Sequence, residues 1–354
     1  MSEKPVIVEV FGRTDVGMAR DHNEDSFLVA NLTTREASLQ PEVRSHELGI
    51  RGTLFMVADG MGGAAAGEIA SELATDTVFT HMVEAWGNDQ EATEQRFAYR
   101  LKEAVEIANS RIYEYARAHP ENRGMGTTTT AAGCLGGSIF LTQIGDSRGY
   151  LIRQGKIVQI TKDQSLMQRL VDAGELTEEE AAVSERRNII LQALGPDPTV
   201  KVDLTRQELC KGDTLVMCSD GLSGLAKNDD ILRIVTTAPD LVGACKDLIE
   251  LANSRGGPDN ITCIVARFGG PALPEPDGTV PMGHQVYPLL DTESTTEPVP
   301  VYLPEEQEST RKTEPVAERK ADPVPERKHD PVAERRTEPA QEKKPEAKKR
   351  WWQF

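Results

Sequence analysis

The 354-residue chain reads as an α+β fold, and three observations point there. Strand-like runs follow one another directly, joined by short glycine-containing turns. The long helical patterns stand apart from them in blocks. The strand–helix–strand alternation of a parallel sheet is missing.

Taken in order, the strand-like runs begin with VIVEVF at 6–11, SFLVANL at 26–32 and GTLFMVA at 52–58. They are rich in β-branched and apolar residues and bounded by Gly, Asn or Asp. Helical patterns follow at about 67–86 and 91–118, one directly after the other. Strands resume with TTTTAAGCL at 127–135, SIFLTQI at 138–144 and GYLIRQGKIVQIT at 149–161, where Gln154-Gly155 marks a hairpin turn. A helix is expected at 164–173, and Thr177 with Glu180 forms a capping box for another short one. VKVDLT at 200–205 and DTLVMCS at 213–219 precede helices at 228–236 and 239–254, and ITCIVARF at 261–268 is the last strand.

Composition divides the chain. Residues 271–354 hold 14 of the 21 prolines, so the folded domain is placed at 1–269 and a tail from 270 onward. Within the tail, 314–345 is a degenerate eight-residue repeat (EPVAERKA, DPVPERKH, DPVAERRT, EPAQEKKP), whose proline and mixed charge favour a disordered spacer. The chain ends KKRWWQF, and 348–354 reads either as a docking segment for a protein or membrane surface or as a free end. The first 270 residues carry 40 acidic and 27 basic residues, a net charge of −13. That charge disfavours nucleic acid and anionic membrane as general partners, and it obliges a phosphorylated substrate to find local positive charge. Five scattered cysteines, the absence of C-x-x-C and the lack of a signal-peptide pattern lead to the expectation of a cytoplasmic protein, no apolar run is long enough to span a bilayer, and a monomer is expected.

The stretch VADGMGGAAAGEIAS at 57–71 fits the glycine spacing of a dinucleotide cradle. A cradle of that kind needs a strand soon after its helix, and here a second helix follows, so Asp59 carries the weight instead. Other acids stand at strand ends in the same way. LFMVA runs into Asp59-Gly60, IFLTQIG into Asp146-Ser147 and TLVMCS into Asp220-Gly221. Asp259-Asn260 precedes ITCIVARF, and Asn23-Glu24-Asp25 precedes SFLVANL. Stacked sheets bring strand ends together, so one rim is expected to gather these acids. Clustered carboxylates repel one another and call for cations, and oxygen ligands select magnesium, manganese or calcium over zinc. Two such ions can activate water and clamp a phosphoryl group in line, and Arg20 is the nearby guanidinium suited to phosphate. Competing phosphate chemistries fail. Cys218 is followed by SDGLSGL with no arginine, and neither G-x-S-x-G nor a P-loop is present.

These stretches, TDVGMARDHNEDS, LFMVADGMGGAAAGEIAS, GMGTTTTAA, IGDSRGYLIRQGKIVQITKDQS, LVMCSDGL and GGPDNITCIVA, occur in an order that resembles the PPM family of metal-dependent, type 2C serine/threonine protein phosphatases in its bacterial form, over residues 7–268. The resemblance implies a four-layer α-β-β-α sandwich with a central antiparallel β-sandwich and the metal site at one end of the sheets. It implies two divalent ions, manganese or magnesium, with a possible third. By the resemblance Asp59 bridges both ions and Gly60 offers its carbonyl. Asp220 and Asp259 hold the second ion, Glu24 and Asp25 act directly or through water, and Asp146 with Asp220 matches the third position. Arg20 binds phosphate. A metal-bridged hydroxide would hydrolyse phosphoserine and phosphothreonine directly, with phosphoproteins and a serine/threonine kinase as partners. The alternative is a catalytically weak phosphoprotein-binding regulator tethered by its tail. Residues 163–188 match a mobile flap. Met61 stands where many eukaryotic members have a proton-donating histidine, and Asp163-Gln164-Ser165 replaces a bacterial Asp-His-Ser, so no general acid carries over. His22 is the nearest histidine in sequence, and metal-bound water is the other donor. Residues 33–51 form a longer loop than many members have.

Overall fold

The computed structural model describes residues 5–38, 40–62 and 66–289. The repeats at 314–345, the end at 348–354 and part of the glycine run lie outside the described residues. In chain order the strands are β1 (Ile7–Asp15), β2 (Asp25–Asn31), β3 (Glu36–Ser38), β4 (Arg44–Glu47), β5 (Thr53–Met61), β6 (Gly126–Thr127), β7 (Thr129–Leu135), β8 (Ser138–Ile144), β9 (Arg148–Arg153), β10 (Lys156–Gln159), β11 (Asp203–Glu208), β12 (Thr214–Cys218) and β13 (Ile261–Gly269). The α-helices are α1 (Ala66–Glu84), α2 (Glu94–Ala118), α3 (Leu166–Asp172), α4 (Glu178–Val183), α5 (Asp220–Ser223), α6 (Asn228–Thr237) and α7 (Leu241–Ser254).

One sheet runs β10-β9-β12-β13-β1-β4 and the other β11-β8-β7-β5-β2-β3, with β6 paired to β5, and the described pairings are antiparallel. Side-chain alternation explains how they stack. On β5, Phe55 and Val57 point into the core between the sheets, while Leu54, Met56 and Ala58 point to α1 and α2. On β13, Ile264, Ala266 and Phe268 enter the inter-sheet core, and Ile261, Cys263 and Val265 face α6 and α7. Both faces of each central strand are therefore covered, which is why these strands read as unbroken apolar runs. The helices follow the same logic. Ala66, Ala70, Ala74, Val78 and Met82 recur every four residues on one face of α1, and Phe97, Leu101, Ala104, Ala108 and Ile112 line α2. Thr93 caps α2 by accepting from the Arg96 amide, and the expected Thr177–Glu180 capping box is formed on α4. Gln154 (φ 49°) and Gly155 (φ 73°) make the expected tight hairpin turn. The result is the expected α-β-β-α sandwich.

Register places the site. Asp25 pairs with Asp59, so the start of β2 meets the end of β5. Val57 pairs with Thr130 and Thr129 with Ile144, which brings the end of β8 to the same rim. In the other sheet Cys218 pairs with Cys263 and Asp15 with Ile261, so β12 ends, β13 begins and β1 ends together. The 16–24 segment crosses from one sheet to the other at this rim.

Two segments differ from the sequence reading. The 33–51 loop contains β3 and β4, and β4 extends a sheet by pairing with β1. The chain also stays on the body past the expected boundary at 269. Leu273 is buried, and Arg153 and Gln207 donate to the carbonyls of Val280 and Pro281. Val286 bridges Thr205 on β11, and the Tyr287 ring packs edge-on against Phe140. A strap without regular structure is hard to read from sequence, because its backbone bonds go to side chains and a sheet edge and leave no periodicity. Among the described residues no helix is long and apolar enough to cross a membrane.

Candidate metal centre

Arg20, Glu24, Asp59, Gly60, Asp146, Asp220 and Asp259 line one cleft of about 260 Å³, together with Met61, Gly62, Thr128, Asn188 and Ile190. Asp25 sits behind this wall, buried. Its Oδ2 accepts hydrogen bonds from Thr262 Oγ1 at 2.6 Å and Ser219 Oγ at 2.8 Å, while its Oδ1 is buried without a partner.

The loop bearing Arg20 and Glu24 is fixed by one side chain. Asn260 Oδ1 accepts from the Glu24 amide at 2.8 Å, and its Nδ2 donates to the carbonyls of Val16 and His22, both at 3.0 Å. Asn23 ties the loop to β1 through Thr14 at 2.7 Å. The turn at Asp59 is held by Thr127 and Thr128, which donate to its carbonyl, and by Thr128 Oγ1, which accepts from its amide at 3.2 Å. Gly60 is wedged between chains. A Cβ there would lie 2.2 Å from the Gly67 carbonyl oxygen and 2.4 Å from that of Glu24, so only glycine brings the backbone this close.

Burial drives the electrostatics. Desolvation lifts Asp25 to about 7 against the opposing hydroxyls of Thr262 and Ser219, with repulsion from Asp220 and Asp259 added. Desolvation and then Asp220 and Asp163 lift Asp146 to about 7 as well. Asp59 is pushed well above the carboxylate range by burial, then by Asp25, Asp220, Asp146 and Asp259. Asp220 rises through burial and Asp259. Within hydrogen-bond range Arg20 answers this charge, donating from Nη2 to Asp259 Oδ2 at 2.9 Å.

Such a group resists full ionisation at neutral pH unless cations offset its charge. Among the described residues no three His, Cys, Asp or Glu side chains converge closely enough to cage an ion alone. Asp25 is turned to Thr262 and Ser219, and Asp259 to Arg20. The fit to hard cations rests on three other features: the unpartnered Asp25 Oδ1, the mutual repulsion of the acids, and the glycine-only backbone at Gly60.

The proton-donor question is narrowed. His22 is exposed, and it is its carbonyl that Asn260 holds. No histidine lines the cleft among the described residues, and Met61 does. Gln164 is engaged with the backbone at Gly145. Sequence reasoning missed Asn260, Thr262, Ser219 and Thr128 as supports. Adjacency to Asp259 and Asp220 hinted at Asn260 and Ser219, whereas Thr262 reads as an ordinary strand residue.

The family profile described as "Protein phosphatase 2C" matches residues 44–258. The serine/threonine protein phosphatase PstP of Mycobacterium tuberculosis is 38% identical over 266 residues, 75% of this chain and 46% of that protein. This chain thus spans about half the length of that relative. The serine/threonine phosphatase stp of Listeria monocytogenes is 35% identical over 254 residues, 72% of this chain and 93% of that one. Among solved structures, the catalytic domain of PstP in complex with two manganese ions superposes with a TM-score of 0.61 at 36% identity, covering 75% of this chain and 99% of that one. On the strength of the sandwich, its acidic rim and these matches, the chain belongs to the protein phosphatase 2C family.

Proposed function

We propose that this chain is a metal-dependent protein phosphatase that removes phosphate from phosphoserine and phosphothreonine in proteins, with two manganese or magnesium ions and a position for a third. The observation that carries this reading is the meeting of Asp59, Asp146, Asp220 and Asp259 with Arg20 in one cleft. The PstP structure with two manganese ions supports the choice of metal.

Asp59 would serve both ions and Gly60 would offer its carbonyl, Asp220 and Asp259 would hold the second ion, Glu24 and Asp25 would act directly or through water, and Asp146 with Asp220 would hold the third. Bound divalent cations supply Lewis-acid activation of water and of the phosphoryl group. Arg20 spends one nitrogen on Asp259, and its guanidinium has further N–H groups to orient a phosphate dianion. Asn260 fixes the loop that presents Arg20, and Asn188 of the flap with Ile190 just beyond it walls the side where the rest of a phosphoprotein lies. No histidine lines the cleft among the described residues, so on this reading the leaving alcohol takes its proton from water.

The partners on this reading are a serine/threonine kinase and its substrates in the cytoplasm, the enzyme acts as a monomer, and the tail from 290 onward tethers it. Hydrolysis of p-nitrophenyl phosphate and of a phosphothreonine peptide is the test. Activity is expected with manganese, and loss is expected with chelator or in Asp59→Asn; full activity in either would overturn the metal-dependent reading.

A further inference from the structure

The Gly145-Asp146 turn is gripped from two sides by glutamines. From β8, Gln143 Nε2 donates to the carbonyls of Gly145 at 3.1 Å and Ser147 at 2.7 Å, and its Oε1 accepts from Thr130 at 2.6 Å. From the flap, Gln164 Oε1 accepts from the Gly145 amide at 3.0 Å, its Nε2 donates to the Gln143 carbonyl at 3.2 Å, and its own amide donates to the Gly145 carbonyl at 2.8 Å. Gln164 thus satisfies both backbone groups of the residue directly before Asp146.

The same side chain is joined to the other root of the flap. Gln192 Nε2 donates to Gln164 Oε1 at 3.0 Å, and Gln192 in turn holds Lys201 through both its amide and its carbonyl. The two roots are also laced by backbone: Leu191 donates to the Gln164 carbonyl, Leu166 to that of Ile189, and Ser165 bridges Ile190. Ile190 and Asn188 line the cleft that Asp146 also lines. A histidine at 164 has one donor and one acceptor when neutral, whereas glutamine here uses its acceptor twice and its donor once.

We propose that Gln164 is a positioning residue that locks the Asp146 turn to the root of the flap and thereby sets how tightly a divalent cation is held by Asp146 and Asp220. The inference rests on the metal-dependent reading above. Partners that hydrogen-bond a metal ligand directly typically change metal affinity by about 10–100-fold when removed, and Gln164, which acts one residue away through Gly145, is expected at the low end of that range.

The test is calorimetric manganese binding to the full chain without substrate, comparing the wild type with Gln164→Leu, Gln164→His, Asp146→Asn and the Gln164→Leu/Asp146→Asn double variant. Gln164→Leu is expected to weaken the weakest class of manganese site about tenfold, and Gln164→His to recover most of the loss. On the Asp146→Asn background, Gln164→Leu is expected to add nothing, because it acts through that carboxylate. Gln192→Leu probes the same relay from the half-buried outer side and is expected to weaken the same site severalfold, which keeps the test open if Gln164→Leu does not fold. Wild-type manganese binding in both leucine variants, or full additivity with Asp146→Asn, overturns the proposal. Unchanged stoichiometry and affinity in Asp146→Asn itself would overturn the site reading, and the inference with it.

Discussion

Two buried carboxylates at different places in the sandwich are treated in opposite ways. Asp213, fully buried, is matched by Arg153, which reaches both its oxygens at 2.8 and 2.7 Å and is itself 5% exposed. The amide of Cys210 completes that cage, and Arg153 spends two further N–H groups on the carbonyls of Glu208 and Val280. Asp25 at the rim has two hydroxyls on one oxygen and nothing on the other, and its charged neighbours are acids. A carboxylate buried for structure is neutralised by the chain itself. The rim leaves its charge to be neutralised from outside, and that difference marks it as a binding site.

The comparison breaks most visibly if the internal cation is removed. Arg153→Ala strands Asp213 and frees the strap, and a loss of about 3–5 kcal/mol is expected in urea unfolding, with manganese affinity unchanged. If manganese binding fell with stability, the two regions would not be independent.

The pH dependence of the metal-free protein sharpens the contrast. The carboxyls of Asp25 and Asp146 titrate near 7 when folded, against an ordinary value of 3.8. Between these limits the folded state holds protons that the unfolded chain has released, so stability should fall as pH rises from about 4 to about 7. Manganese should flatten the slope at the neutral end, since it binds the ionised form. A flat profile without metal would remove the electrostatic account of the rim.

Truncation separates strap from tail. Ending the chain after 269 removes Leu273 and Tyr287 from their packing and is expected to cost about 2 kcal/mol relative to a chain ended after 289. The smallest effect is also the most diagnostic. Asp59→Asn without metal should raise stability at pH 7, because it removes a buried acid crowded by Asp25, Asp220, Asp146 and Asp259, while abolishing hydrolysis. A destabilised Asp59→Asn protein would place Asp59 with Asp213, as a structural acid.

The legible parts of the molecule were those with local rules. Central strands covered on both faces show as apolar runs, so β5 and β13 stood out. Thr177 and Glu180 announced a helix start, and acids at strand ends announced a rim. What stayed hidden depends on partners distant in sequence. β4 is four residues with alternating exposure, recognisable as a strand by its pairing with β1. Asn260 binds residues more than 230 positions away, and Thr262 looks like strand filler until Asp25 is placed beside it. Gln164 read as a missing histidine, and the turn it holds shows its use.

The β2–β5 ladder runs from Asp25 opposite Asp59 at the rim to Asn31 opposite Thr53 at the far end. Six residue steps, about 20 Å, separate the chemistry from the 33–51 connection. Length can therefore vary in the turns of that connection, outside β3 and β4, without shifting which residues face each other at the cleft. A protein engineer needing a place for a fluorophore, an affinity handle or a grafted recognition loop would choose it, and an evolutionary lineage could lengthen it at little cost to turnover.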